Sequence, residues 1–479
     1  MTDAVLTHLK NDRDNIIGRL KELVRAPSVS TDSAYAEGMK EARKILNSRL
    51  KLSGFENISE LEAGGHPAVY AEWLGAPGAP TFIVYGHYDV QPPDPLDKWH
   101  SPPFEPDIRE NRLYGRGVSD DKGPSSIALE TLSAFLAVEG RLPVNVRILL
   151  EGEEETGSVT LRALLEKYSD TLAADAVLSA DGARWRADLA SVNVGSRGNS
   201  RCELALRTAG KDLHSGRFGG AVRNALHEMS ALLASLHHSD GRVAVAGYYD
   251  DVEELDAGER QRIAAIPFDE PGFFEAIKGT SHGEPGYSTL ERLWVRPTLE
   301  INGMWGGYIG EGSKTVTPCE AFAKLTTRLV PGQDPAKVGS ALAAHLRAHC
   351  PTGVELSIAL DRGGSAAYMV PKAHPLLIAA EMAIESALGA VPVRVRVGGS
   401  LPLSYIVKDT LGLDTIMLSF STADEDFHAP NEFFRLSAID DGVAAWVRLL
   451  RILGEQTPGL YTPFKTISKP EGIKSHDRA

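Results

Sequence analysis

Side chains able to bind a metal or move a proton gather in five short stretches of this 479-residue chain. "TFIVYGHYD" carries His87 and Asp89, and "LYGRGVSDDKG" carries Asp120 and Asp121. "EGEEETGS" places Glu151, Glu153, Glu154 and Glu155 within one turn's length of chain. "ADAVLSADG" supplies Asp181, and "LDTIMLSFSTADEDFH" ends on His428. Imidazoles and carboxylates without cysteine suit Zn²⁺, Mn²⁺ or Co²⁺ rather than an iron–sulfur or structural zinc site. This set also exceeds what one tetrahedral ion needs. It suits two ions a few ångströms apart sharing a bridging carboxylate, the arrangement of a hydrolytic clamp.

Each stretch alone has a plainer reading. A histidine near a strand end is most often a loop residue, and an acidic triplet is usually a solvated helix N-terminus favoured by the dipole. Asp120 and Asp121 ahead of a helix could be capping residues. Their shared location is what favours a metal site. Four predicted strands end in these residues, and open α/β sheets bind their ligands outside the carboxyl ends of the strands.

The elements that must position them follow from hydrophobic periodicity. Leu6, Leu9, Ile16, Ile17, Leu20, Leu23 and Val24 predict an opening amphipathic helix that stops near Ala26 and Pro27; a second is predicted over 35–52. Apolar runs at 68–74, 81–85, 144–150 and 176–178 then alternate with helical segments at 125–138 and 161–168. This alternation predicts an α/β fold, a mostly parallel sheet sandwiched by helices. From Arg197 the pattern changes to the alternating strands of "RCELALRTAG", "FAKLTTRLVP" and "VELSIALDRG", with helices over 224–236 and 336–348. That reads as an inserted α+β domain at 197–367. The α/β domain then comprises 1–196 and 368–479, closing with the strand "LDTIMLSF" and a helix over 436–453. The polar stretch 248–286 reads as peripheral.

A formal net charge of -14 argues against a nucleic-acid or anionic-membrane partner, since both call for a basic surface. Cys202, Cys319 and Cys350 are too few and too scattered for a disulfide framework, and they fit a reducing compartment. The charged N-terminus has no signal-type apolar core, and no run is apolar enough to span a membrane. A cytoplasmic location is expected.

Taken together, "GHYDVQP", "LYGRGVSDDKG", "EGEEETGS", "SADG", "DLHSG" and "FHAPNE" resemble the aminoacylase/carboxypeptidase-like zinc peptidases. Succinyl-diaminopimelate desuccinylase, acetylornithine deacetylase and the carnosine dipeptidases belong to that group. "KDLHSGRFGG", "KTVTP", "TTRLVP" and "GGSLP" are most similar to the carnosine/cytosolic non-specific dipeptidase branch. The resemblance implies a first metal held by His87 and Asp181, a second held by Glu155 and His428, and Asp120 bridging both. It implies a cis peptide after Asp120, Asp89 orienting the His87 imidazole, and Glu154 as general base and acid. Glu151 and Glu153 are then bystanders. It further implies that His214 reaches the substrate carbonyl oxygen and that Arg328 binds the free carboxylate of a dipeptide. Thr315 and Ser400 would line the substrate site, and the inserted domain would serve as lid and homodimer interface.

The expected activity is metal-dependent hydrolysis of dipeptides, with two ions of zinc, or of manganese or cobalt. The nearest alternative is a deacylase of N-acetyl or N-succinyl amino acids. A two-metal phosphoesterase would need further cationic groups near the strand edge, where the metal-site motifs hold Lys122 and Arg116. An inactive binding protein on the same scaffold is the remaining alternative.

Overall fold

The computed structural model describes residues 3–360, 364–399 and 402–465. The chain forms two compact units, one of Met1–Val194, Val370–Val395 and Pro402–Ala479, the other of Gly195–Met369 and Arg396–Leu401.

In the first unit, strands Asn145–Glu151, Thr81–His87, Ala176–Ser179 and Thr415–Met417 lie side by side in that order and all run parallel. They are almost wholly buried, as expected of parallel strands covered on both faces. The margins are antiparallel. Ala68–Trp73 and Glu56–Leu61 extend one side, and Asn193 pairs with Met417 on the other. Helix Lys122–Glu139 buries Ile127, Leu132 and Phe135, and helix Leu436–Gly454 buries Val443, Trp446 and Leu450.

Three expectations needed correction. The opening helix is two helices, Ala4–Asn11 and Arg13–Val24, broken at Asp12. The Asp12 carboxylate accepts bonds from Asn15 (2.6 Å) and Arg19 (2.7 Å). The backbone of Asp12, at φ -93° and ψ 5°, leaves the helical region there while its N–H still donates to His8 O. The strand expected over "LDTIMLSF" stops at Met417. Past it Ser421 turns its hydroxyl onto the carbonyl of Ser119 at 2.6 Å, drawing the chain out of the sheet. The stretch 248–286 is not merely peripheral. It forms helices Ala257–Ala264 and Glu270–Ala276, capped by Asp256 and Asp269, and it buries Tyr248, Ile263 and Ile266.

The second unit holds an antiparallel sheet in the order Thr298–Gly306, Glu320–Leu329, Gly198–Arg207, Glu355–Leu360. Alternate residues such as Leu204, Leu206 and Leu325 pack against Met229, Leu342 and Leu346 of helices Ala225–Ala234 and Pro335–His349.

Candidate metal centre

Strand register brings the predicted ligands to one edge. His87 is the last residue of its strand and stands opposite Glu151, while Tyr85 pairs with Ser179, and Ser179 with Met417. The carboxyl ends therefore coincide, with Asp181 just beyond one of them. His428 arrives differently, from the long segment after Met417. Its φ of 61° lies in the left-handed region, where histidine is tolerated better than most side chains. Nearby Asn431 binds the chain at His100 N (2.8 Å) and Lys98 O (2.9 Å).

Two donor triads result. One ligand atom each from His87, Asp120 and Asp181 lie within 4.8 Å of one another, and so do those from Asp120, Glu155 and His428. Asp120 is common to both. Its Oδ1 lies 3.1 Å from His87 Nε2 and its Oδ2 lies 3.0 Å from His428 Nε2. Glu155 Oε2 is 3.3 Å from the same His428 nitrogen.

The electrostatics of this edge fit cations. Burial pushes the Glu154 carboxyl well above the usual range, and the nearby Asp181 and Asp120 charges push it further. Burial raises Asp181 to about 6, with Asp120 repelling it, and raises Asp121 well above the ordinary aspartate value. Hydrogen bonds to Asp120 and Glu155 lift His428 to about 10. Burial works against a charge on His87, but Asp120 and Asp89 still hold its pKa well above the ordinary value. Asp120 is held low by His428 and His87, although burial opposes this. Crowded carboxylates that bind protons so readily are what a bound divalent ion relieves. An N/O donor set without sulfur fits Zn²⁺, Mn²⁺ or Co²⁺.

The surrounding contacts fix these groups. His87 Nδ1 faces the backbone oxygen of Asp89 at 3.0 Å, with the Asp89 carboxylate at 3.4 Å. That carboxylate also accepts from Ser30 Oγ (2.7 Å), Glu154 N (3.3 Å) and Glu155 N (3.1 Å), so it holds the glutamate turn as well as the imidazole. The peptide between Asp120 and Asp121 is cis. Asp121 accepts from His87 N (3.1 Å) and Ser125 Oγ (2.6 Å).

The four glutamates have distinct surroundings. Glu151 is buried and accepts from Tyr85 Oη at 2.6 Å. Glu153 accepts from His66 N at 3.1 Å and from the Thr160 hydroxyl, which pins a neighbouring loop. Glu155 belongs to the second triad and takes a 2.8 Å bond from Gln91 Nε2. Glu154 shares the charge field of His87, Asp181 and Asp120.

Ser30, Gln91, Glu425 and Glu432 were missed in the sequence. Glu432 accepts four hydrogen bonds from the 116–120 turn, and Glu425 accepts from Ser119, Thr422 and Arg435. Gln91 and Glu432 do lie within the motifs "GHYDVQP" and "FHAPNE", each four residues past its histidine. The signal was that each motif runs on past its histidine.

His214, Thr315 and Arg328 belong to the second unit. His214 is exposed and accepts from Gly216 N at 3.0 Å. It pairs with Val316 across a short ribbon, and Ser215 N donates to Thr315 O at 3.1 Å, so these two predicted positions adjoin. Arg328 is half-buried on strand Glu320–Leu329, opposite Asn199 and Thr298. Burial and the Arg328 charge lower Arg197 to about 10, a concentration of positive charge suited to an anion. Ser400 lies outside the described residues. A separate hollow of about 480 Å³ beside Leu9 and Leu129 offers no comparable chemistry, since Arg19 there is already paired with Asp12 and Glu130.

Residues 83–452 match the model of peptidase family M20/M25/M40. The chain belongs to this family. It is therefore a hydrolase. This M20-type peptidase is 31% identical to the Beta-Ala-His dipeptidase of Homo sapiens, over 76% of its own length and 73% of the relative's. It is 28% identical to the Cys-Gly metallodipeptidase DUG1 of Saccharomyces cerevisiae, over 94% and 98%. Among solved structures, the M20 family metallo-carboxypeptidase Sso-CP2 of Sulfolobus solfataricus superposes with a TM-score of 0.79. The identity is 32%, and 92% of this chain and 99% of that one are covered. The dipeptidase Dug1p of Saccharomyces cerevisiae gives 0.78 at 27% identity, covering 94% and 98%. Among the described residues no helix is long and apolar enough to cross a membrane.

Proposed function

We propose that this peptidase is a two-metal dipeptidase. The observation that carries the reading is the position of Asp120, whose two oxygens face two separate donor triads. His87, Asp120 and Asp181 would hold one ion, and Asp120, Glu155 and His428 the other. Divalent ions bound there would polarise a substrate carbonyl and make water acidic enough to attack near neutral pH.

The chain's own residues do the rest. Glu154 takes the proton of the attacking water and returns it to the leaving amine, acting as base and then acid. A carboxyl whose proton affinity is raised by burial suits a group that must accept a proton and keep it briefly. Asp89 fixes both His87 and the backbone of Glu154 and Glu155. Arg328, next to the charge of Arg197, binds the free carboxylate of the dipeptide, and His214 with Thr315 contacts the substrate near its carbonyl. The names of the relatives support dipeptides. The similarity to a metallo-carboxypeptidase favours a second reading, cleavage of the last residue from longer peptides. Substrates of both readings, like the N-acyl amino acids of the deacylase alternative, present a free carboxylate; the alternative differs in requiring an acyl group in place of the first residue.

A homodimer through the second unit is supported by edge strand Thr298–Gly306, which exposes Ile301, Met304 and Trp305. Three free cysteines support a reducing, cytoplasmic setting. Glu154→Gln is expected to keep both metals and lose turnover by about 10²–10⁴-fold. Undiminished turnover by the metal-loaded variant would remove Glu154 from the mechanism.

A further inference from the structure

The segment 427–432 delivers more than a ligand. Glu432, four residues after His428, is fully buried. Its Oε2 accepts from Arg116 Nη1 (2.7 Å) and Gly117 N (2.9 Å), and its Oε1 accepts from Ser119 N (2.9 Å) and Asp120 N (3.2 Å). Gly115 N donates to the Glu432 backbone oxygen at 3.0 Å. Three amide N–H groups converging from one turn form a buried anion-binding concavity, and the anion that fills it is this carboxylate.

We propose that Glu432 is a positioning residue that sets Asp120 in register with His428, so that one carboxylate can serve both ions. The proposal rests on the two-metal reading above. Asp120 and His428 are more than three hundred residues apart in the chain. The 116–120 turn and the 427–432 segment are fastened to each other by the four bonds to Glu432. Because one of those donors is the amide of Asp120 itself, any shift of the clamp moves the shared ligand relative to His428. Among the described residues Glu432 lies in no donor triad, so it acts through Asp120 and not on an ion directly. A neutral glutamine has a single acceptor oxygen, and its amide group would point N–H bonds at the N–H bonds of the turn.

The test is titration of the full-length, metal-free protein with Mn²⁺, read by binding stoichiometry and by the spin-coupled signal of a paired site. Wild type is expected to take two ions per chain with that signal. Glu432→Gln is expected to bind the second ion about 10–100-fold more weakly and to lose the coupled signal, the size typical when a ligand's supporting partner is removed. A merely structural role would lower the melting temperature of the metal-free variant and leave both affinities intact, which would overturn the proposal. Failure of wild type to take two ions would instead overturn the two-metal reading itself. Glu432→Asp keeps the charge but shortens the reach. If the glutamine variant does not fold, a weakened second ion in the aspartate variant supports the proposal, and unchanged binding overturns it.

Discussion

Glu154 and Glu155 are adjacent in sequence, yet the structure gives them different company. Glu155 stands beside His428 and takes a bond from Gln91, whereas Glu154 lies in the field of His87, Asp181 and Asp120. Their substitutions should therefore separate. Glu155→Ala is expected to lose one of two ions on metal analysis, while Glu154→Gln keeps both and fails at turnover. Identical metal content in the two variants would mean the register is wrong. Arg328→Met is expected to raise KM for a free dipeptide and to leave a C-terminally amidated one unaffected, since only the former presents a carboxylate. Equal effects on both substrates would reject that role. The candidate ligands stood out because imidazoles and carboxylates gather in short motifs, several of them directly after strands that end at one edge. Glu432, Gln91 and Ser30 were not, because they act on backbone groups or carboxylates far away in sequence, and no spacing rule reports such pairs.

Among the elements, the strand Thr81–His87 and the helix Lys122–Glu139 approach unusually closely at Gly86. A Cβ there would come within 1.9 Å of Ser125 Oγ and 2.8 Å of Asp121 Oδ2. Gly86→Ala should push that helix start away from His87, costing about 1–3 kcal/mol as overpacking does. The melting temperature of the metal-free protein measures it, and an unchanged value would contradict the close fit. Lys122 plays a comparable part at the other side of this helix start. Its buried ammonium, with its pKa lowered to about 7 by burial, donates to Leu23 O (3.2 Å) and Ala26 O (2.8 Å) where helix Arg13–Val24 ends. Most elements were readable from apolar periodicity. The break at Asp12 and the early stop at Met417 were not, because apolar spacing carries no trace of a local change in backbone angles or of the Ser421 hydroxyl's bond to Ser119 O.

At the scale of the whole molecule, protonation, metal binding and stability are linked. Asp181 at about 6 and His428 at about 10 both lie above their ordinary values. Each therefore stabilises the metal-free fold fully below its unfolded pKa, and that contribution is lost as pH rises through about 6 and about 10 respectively. Bound cations favour the deprotonated ligands, so the rise in melting temperature on adding Mn²⁺ should be larger at about pH 8 than at about pH 5. An equal rise at both would contradict the linkage. Assembly has its own test. Trp305→Glu on the exposed edge strand is expected to halve the mass seen by light scattering, whereas a monomeric wild type would rule out the homodimer. The central claim is most directly tested by one substrate panel on wild-type protein, metal-free and then reloaded with Zn²⁺ or Mn²⁺. The panel compares free dipeptides such as Cys-Gly and β-Ala-His with longer peptides and N-acetyl amino acids. Hydrolysis of free dipeptides is expected to vanish on chelation and to return with metal. Activity indifferent to chelation, or a preference for N-acetyl amino acids, would contradict the central claim.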